Sequence, residues 1–394
     1  MSDITPPQSD PVLNPVLNPV LNIEPEEPPA GLLVPLDALH RSLGARMVPF
    51  AGYQLPVQYG PGVLAEHIHT RTAASLFDVS HMGQFSLQGG PAAAALERAV
   101  CSDIQALPPG RQRYTLLTNE AGGIYDDLIV ANYGDRLLVV ANASRKAFDA
   151  HHIAEVIKDS GAGFFEHPDR ALLALQGPTA AATMASLCPE AAALSFLGVC
   201  EASIGGIPTW ISRSGYTGED GFELSVLADH AERLATLLLQ QPGVLPAGLG
   251  ARDSLRLEAG LCLYGQDIDE LTSPVEADLG WTISKRRRAE GGFLGAAAIL
   301  DQLTTPPHRV RVGIRPEGRA PARALTPIAA TDGTDAGIVT SGTFSPTLGG
   351  PIAMGYVRRD LAALGTPLHL LVRGQPLPAR VVPLPFVPHR YVKS

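Results

Sequence analysis

Asp126 and Asp127, side by side in NEAGGIYDDLIVAN (residues 119–132), place two carboxylates at the mouth of an otherwise apolar strand. Gly122-Gly123 supplies a turn, because glycine reaches positive φ at little steric cost. Ile124–Val130 then reads as a strand running to a second turn at Gly134-Asp135, with Arg136–Val140 completing a hairpin. Neighbouring side chains of a strand point to opposite faces, so the two acids cannot look into one cavity without a bulge. Asp126 has the parity of Ile124, Leu128 and Val130, and Asp127 that of Tyr125 and Ile129. If the first face is inward, the Asp126 carboxylate is partly desolvated beside a pocket. An unpaired charge there costs on the order of several kcal/mol, which marks either a function or a dedicated set of hydrogen bonds. Two acids capping a hairpin entrance is the plainer reading of the same residues.

Glu223, in FELSV, alternates away from Phe222, Leu224 and Val226. A carboxylate accepts two parallel hydrogen bonds, so Glu223 suits a ligand edge with adjacent N–H donors, such as an amino-pyrimidinone; an ordinary solvated strand face is the alternative. Arg252 lies in the first turn of a helix expected from about Gly250 to Ala259, with Asp253 between it and Arg256. It serves either helix-surface ion pairing or a cleft that fixes an acidic or carbonyl-bearing ligand. Lys285-Arg286-Arg287-Arg288 is a local basic run, a solvated face or a docking patch for an acidic partner. His67 and His69 stand two apart on a helical pattern and do not share a face, so they read as surface or packing residues, and no metal is expected. Gly248-Leu249-Gly250 lacks the third glycine and the preceding strand of a dinucleotide loop, and the sequence contains neither a P-loop nor GxSxG.

The elements that must position these groups are strands and helices in mixed order. Helical spacing runs over LDALHRSLGA and Val63–Leu76, SLFDVSHMGQFSLQG looks like a strand entered through a turn, and Pro91 opens AAAALERAV; Ser144 is placed to cap a helix reaching about Asp159. ALLALQGP, Thr209–Arg213 and Phe222–Val226 read as strands, and Asp229 with Glu232 as a capping box for HAERLATLLLQQ. Beyond a Pro-Pro pair near residue 305, short strands alternate with turns such as Asp332-Gly333 and Gly349-Gly350. The fold class is α+β, with antiparallel sheets, helices and a small β-rich C-terminal domain over 305–394.

At 394 residues the chain is long enough for two or three domains. It is 45% hydrophobic and 18% charged, an ordinary globular composition whose apolar runs are too short to span a bilayer, so no membrane is expected as a partner. The formal net charge is −9; residues 1–30 carry five acids and no Lys or Arg, which leaves −4 on the remainder and argues against nucleic acid as a partner. The four cysteines are widely separated, with no CxxC pair. Residues 1–31 form a Pro-rich acidic leader in which PVLN occurs three times, expected to be extended or disordered. That leader has neither a secretory signal pattern nor an Arg-rich amphipathic presequence, so a cytoplasmic location is expected.

Eight stretches in order, GARMVPFAGYQLPVQYG, FDVSHMGQF, TNEAGGIYDDLIV, LALQGP, SRSGYTGEDGFELSV, GLGARDSLRLEAGLCLYGQDIDE, SPVEADLGWTISKRRR and TSGTFSPTLGGPIAMGYV, make the chain resemble the glycine cleavage T-protein family from about Leu32 to Lys393. The resemblance implies a three-domain cloverleaf around a central folate channel. Residues 32–304 would form the folate-binding region, two α+β domains of which the first is discontinuous, and a barrel-like domain would follow. It implies an aminomethyltransferase that takes the one-carbon unit from the aminomethylated dihydrolipoyl arm of H-protein to tetrahydrofolate, releasing ammonia and giving 5,10-methylenetetrahydrofolate. Tetrahydrofolate would be a co-substrate and H-protein the partner, with the P-protein and L-protein as functional associates.

By motif, Asp126 would be the critical acid, orienting the folate nitrogen that attacks and stabilising the charge that develops on it. Glu223 would grip the pterin edge, with Tyr216 beside it and Arg252 positioning the cofactor. Tyr114 would line the folate site, Met82 contact the pterin face and Tyr391 close the site. Two neighbouring classes differ in sequence: the folate modules of dimethylglycine and sarcosine dehydrogenases follow a flavin domain, which has no counterpart upstream here. Folate-binding proteins of iron–sulfur maturation generally lack the complete GGIYDD, GYTGED and ARDSLR set.

Overall fold

A computed structural model describes residues 31–393, so the expectations for residues 1–30 fall outside the described part of the chain. Three sheets and a barrel carry the fold. A short sheet joins Leu32–Leu33, Tyr53–Gln58 and Arg46–Phe50. The chain then lays Ala74–Asp78 into a six-stranded sheet whose other strands come from much later, between Arg170 and Pro246. Between these visits it builds a five-stranded antiparallel sheet in the order Arg111–Thr118, Ile124–Asn132, Arg136–Ala141, Gly83–Gln88, Gly163–Glu166. Residues 309–382 close into a six-stranded barrel.

The five-stranded sheet buries one apolar face under helices, and the central strands of the six-stranded sheet bury both faces. In the five-stranded sheet Phe85, Leu87, Leu117, Leu128 and Val130 pack under the helices Ala92–Leu96 and Lys146–Ile157 through Ala95, Ala150, Ile153 and Ile157. In the six-stranded sheet Leu173, Leu175, Phe222 and Leu224 meet Ala231, Leu234 and Leu238 of the helix Ala228–Leu239. The α+β class and the C-terminal barrel of the sequence reading are what the structure contains.

Several local expectations are revised. The helix begun at Val63 ends at Thr72, because Ala74–Asp78, buried at every position, is claimed by the six-stranded sheet. Ser144 does not cap its helix, which runs Lys146–Ile157 with Arg145 at the N-cap. Asp229 lies inside the first turn of its helix, with Leu227 at the N-cap and no side-chain capping bond. The helix Leu249–Glu258 ends as expected, on Gly260 at φ +69°. Among the described residues no helix is long and apolar enough to cross a membrane.

Candidate active site

The site is built on the hairpin entered at Gly122-Gly123. Gly122 has φ +90°, and a Cβ on Gly123 would lie 1.8 Å from the Glu270 carbonyl oxygen, so only glycine lets this turn approach the 270 loop. Asn119 ties the two together: its Oδ1 accepts from Gly123 N at 2.8 Å and its Nδ2 donates to Glu270 O at 2.9 Å. Along the strand that follows, Asp126 pairs with Leu117, Asp127 with Leu116 and Ile129 with Tyr114. Residues opposite one another in an antiparallel pair share a face, so Tyr114 falls on the side of Asp127.

That register corrects the placement of Asp126. Its face is indeed buried, but beneath the helices of the five-stranded sheet, with Leu117, Leu128 and Val130. Asp126 is fully buried there, accepting from Asn142 N at 2.9 Å and from Asn142 Nδ2 at 2.8 Å. Asp127 points the other way and is partly exposed. The same Asn142 amide reaches Asp127 Oδ1 at 2.7 Å, and the Tyr114 hydroxyl, from the facing strand, lies close enough to favour the Asp127 carboxylate. Burial, reinforced by the neighbouring Asp126 charge, pushes Asp127 up to about 7.

Around Asp127 the structure gathers most of the expected residues. Tyr114, Tyr216 and Cys262 all lie within its electrostatic reach, and the Tyr216 hydroxyl donates to Cys262 O. The Arg252 guanidinium stands 4.7 Å from the centre of the Tyr216 ring, next to the charge of Glu223, and its buried Nη1 has no partner. Glu223 accepts from Ser214 Oγ at 2.7 Å. It also lines a small cavity of about 20 Å³, with Gln112, Ile129, Val140, Leu172 and Trp210 among its other walls, room for a water-sized group. Met82 packs against the cluster of Phe77, Val79, Leu172 and Ala251, beside Val140. Tyr114, Met82, Asp127, Tyr216, Glu223 and Arg252 are all partly exposed, as a shared open space requires.

Tyr391 is placed elsewhere. Its ring stacks on Phe196 at 4.0 Å and meets the His389 ring at a tilt of 39° and 4.7 Å, near Arg71 and Glu219. The basic run divides, because only Arg287 is buried, Arg286 is half-buried, and Lys285 and Arg288 are exposed. Arg286 binds Glu97, Asp103 and Glu290, buried Arg287 reaches Glu97, and Arg288 donates to the carbonyls of Ile283 and Gly280. Arg286 and Arg287 are thus committed to internal ion pairs, while Lys285 and Arg288 remain on the surface. His67 is a packing residue, fully buried between Ser254 Oγ at 2.7 Å and Glu258 Oε2 at 3.1 Å.

Three residues near the site escaped sequence reasoning. His81 is buried with Nδ1 unpartnered, and burial, with the Arg252 charge, presses it down to about 4, so it is neutral at physiological pH. Lys146 donates to Tyr53 Oη at 2.6 Å and to His81 O at 2.9 Å. Asp149 was legible: it sits four and eight residues before Ile153 and Ile157, a carboxylate on an apolar stripe. Among the described residues no cluster of His, Cys, Asp and Glu could hold a metal ion.

Comparison with known proteins gives matches over nearly the whole chain. The family model described as the GCVT N-terminal domain matches residues 36–287, and that of the glycine cleavage T-protein C-terminal barrel domain matches 309–388. A relative from Gallus gallus named aminomethyltransferase, mitochondrial is 49% identical over 374 residues, covering 92% of this chain and 94% of its own. One of the same name from Dictyostelium discoideum is 44% identical over 379 residues, covering 91% and 93%. The crystal structure of glycine cleavage system aminomethyltransferase T from Bartonella henselae superposes with a TM-score of 0.87 at 41% identity, covering 92% of this chain and 99% of that one. The cytoplasmic location expected from the leader is overturned: these chicken and slime-mould relatives are named mitochondrial, which points to that compartment instead.

Proposed function

The chain belongs to the glycine cleavage T-protein family and is an aminomethyltransferase, and on that footing we propose that Asp127, rather than Asp126, is the acid its reaction uses. The reading rests on one observation: of the two adjacent carboxyls, only Asp127 lies on the side of Tyr114, Tyr216 and Cys262, while Asp126 is turned into a helix-covered core. The substrates are the aminomethylated lipoyl arm of H-protein and tetrahydrofolate, and the residues present suit the folate. The unpartnered Arg252 Nη1 asks for an acceptor, and the Glu223 carboxylate for donors. Arg252 and Glu223 would hold the pterin edge, with Tyr216, Tyr114 and Met82 against its rings.

In the transfer, two bonds form from the one-carbon unit to folate nitrogens while its bonds to the lipoyl sulfur and to the amine break. The two protons displaced from the folate end on ammonia and on the thiol. Asp127 serves that movement. A carboxyl with a proton affinity near neutrality can take up a proton as positive charge develops on the attacking nitrogen and return it to the leaving group. Asn142 fixes its direction, with Tyr114 beside it. The iron–sulfur maturation alternative draws no support from relatives named aminomethyltransferases.

The test is ammonia release and 5,10-methylenetetrahydrofolate formation from aminomethylated H-protein, with tetrahydrofolate present or omitted. Folate-dependent turnover is expected. Folate binding without turnover would return the protein to the non-enzymatic class.

A further inference from the structure

Asp149, on the helix Lys146–Ile157, is fully buried, and neither of its carboxyl oxygens has a hydrogen-bond donor. An ionised carboxylate in that position would be both desolvated and unpaired. Its carboxyl meets the carboxyl of Asp126, which is equally buried. Asp126 differs in having both oxygens served, Oδ2 by Asn142 N at 2.9 Å and Oδ1 by Asn142 Nδ2 at 2.8 Å. Two carboxyls in contact cannot both ionise, and the donor-rich one keeps the charge while the donor-less one keeps the proton. Burial, with the Asp126 charge behind it, accordingly pushes Asp149 up to about 10.

The other groups facing the pair do not reverse this. Arg145, one turn earlier, favours ionisation of Asp149; its Nη2 is 2.9 Å from Glu270 and its guanidinium 4.3 Å from the Phe148 ring centre. Its Nε and Nη2 make no hydrogen bond, and its pull is outweighed by burial and the Asp126 charge. From the 264 loop, Tyr264 Oη donates to Ile124 O at 3.3 Å. Further along the helix the His152 ring rests on Phe148 and Tyr125, and burial lowers its proton affinity. Asp127 stands on the far side of Asn142.

We infer that Asp149 is a positioning residue for the transfer: it remains protonated, donates its O–H to Asp126, and through the shared Asn142 amide holds the Asp127 carboxyl toward the channel. The inference rests on the assignment of Asp127 as the working acid, but its first test does not. Asn142 Nδ2 grips Asp126 Oδ1 at 2.8 Å and Asp127 Oδ1 at 2.7 Å, so whatever fixes Asp126 also fixes Asp127. The charge on Asp126 is in turn what raises Asp127, after burial.

The first experiment compares thermal unfolding of the wild type and D149N across pH. A carboxyl whose folded value is raised from 3.8 to about 10 binds a proton in the folded state that the unfolded chain has released, so its contribution is complete below the unfolded value and is lost as pH rises toward the folded one. The Tm difference should therefore move in favour of D149N between about pH 5 and about pH 9. A difference that stays flat or moves the other way overturns the protonated assignment, whatever the enzyme does.

The second experiment is the pH profile of kcat for D149N and D149L. The amide still donates to Asp126, so D149N should keep kcat within about threefold and leave the acid limb in place. Without a donor, Asp126 takes up the proton itself and no longer raises Asp127, so in D149L the acid limb should move down by about half a pH unit or more. An unmoved limb in folded D149L, or loss of activity in folded D149N, overturns the positioning role. Should D149L not fold, D149A, which also lacks a donor, carries the same test of the acid limb. Full activity in D127N would instead refute the assignment of Asp127 and leave the unfolding result standing.

Discussion

Asp126 and Asp127 differ by one residue and by which side of a sheet they serve, so the same substitution should separate them. Asp127→Asn keeps shape and hydrogen-bonding capacity while removing the charge and the proton site; kcat should fall by about 10²–10⁴, with folate affinity changed little. Asp126→Asn should cost less in kcat and more in stability, because its amide would turn one donor toward the Asn142 donors. Steady-state kinetics with calorimetric folate titration would decide; equal kcat losses with equal stability would contradict the division of labour. The pH profile carries the same argument. The working form of Asp127 is the carboxylate and its value is raised to about 7, so kcat should rise with pH through about 7 and level off above it. That acid limb should disappear from whatever activity D127N retains. In the sequence, the alternation of the strand was readable and so was the burial of the Asp126 face. What could not be read was that two different faces bury: one against helices of the same sheet, the other against residues 114, 216 and 262. Strand parity distinguishes sides without saying what covers each, and that depends on contacts across about 130 residues.

At the level of elements, the legible features were those set by local chemistry. The glycine turn at 122–123, the hairpin turn at Gly134 and the helix stop at Gly260 all carry positive φ at Gly122, Gly134 and Gly260. The illegible ones were decided by tertiary competition. The strand read from Ser75 onward is present, but its overlap with the helical pattern running to Leu76 is resolved for the sheet, because strands Arg170–Gln176 and Val244–Pro246 pair on either side of Ala74–Asp78. The basic run reads as surface charge, yet Glu97 and Asp103, almost two hundred residues earlier, draw two of its arginines in. Gly123 combines both levels, since its lack of a side chain is local but the group it approaches is the distant Glu270 carbonyl. Gly123→Ala must push that carbonyl or the turn aside, and a destabilisation of about 1–3 kcal/mol is expected. Because the strand entering at Ile124 carries the acids, kcat should fall as well. Urea unfolding together with turnover would test this; an unchanged urea midpoint would show that the 270 loop yields freely.

Across the whole molecule, the helix Leu249–Glu258 is where the parts meet. Ala251 and Leu255 pack on Phe77 and Leu172, Arg252 lies over the Tyr216 ring, and Leu257 lies against Ile352 and Met354 of the barrel. The barrel is further held through a buried ion pair, Arg256 with Asp267 at 2.6 Å, both essentially without exposure. Asp267 also accepts from Ser341 Oγ at 2.9 Å and Thr340 Oγ1 at 2.5 Å, and its carbonyl accepts from Tyr356 Oη at 2.6 Å, three contacts from barrel strands. Replacing such a pair by apolar groups can be nearly neutral, but removing one partner strands the other charge, at a cost of about 3–5 kcal/mol. Asp267→Ala should therefore leave Arg256 with only the half-exposed Asp253 as counter-charge, at 2.9 Å, and weaken the docking of the barrel more than its folding, since the barrel keeps its own core of Ile314, Val339, Ala353 and Leu370. Domains loosened in this way open locally before they unfold globally. Limited proteolysis should cut the variant faster in the connection between Thr304 and Arg309, while hydrogen exchange within the barrel strands stays near wild type. Turnover should fall too, because Cys262, whose carbonyl holds the Tyr216 hydroxyl, lies five residues before Asp267 in the same segment. Uniformly faster exchange across the barrel would instead make the ion pair part of the barrel's own folding, and unchanged cleavage would remove it from the interface altogether.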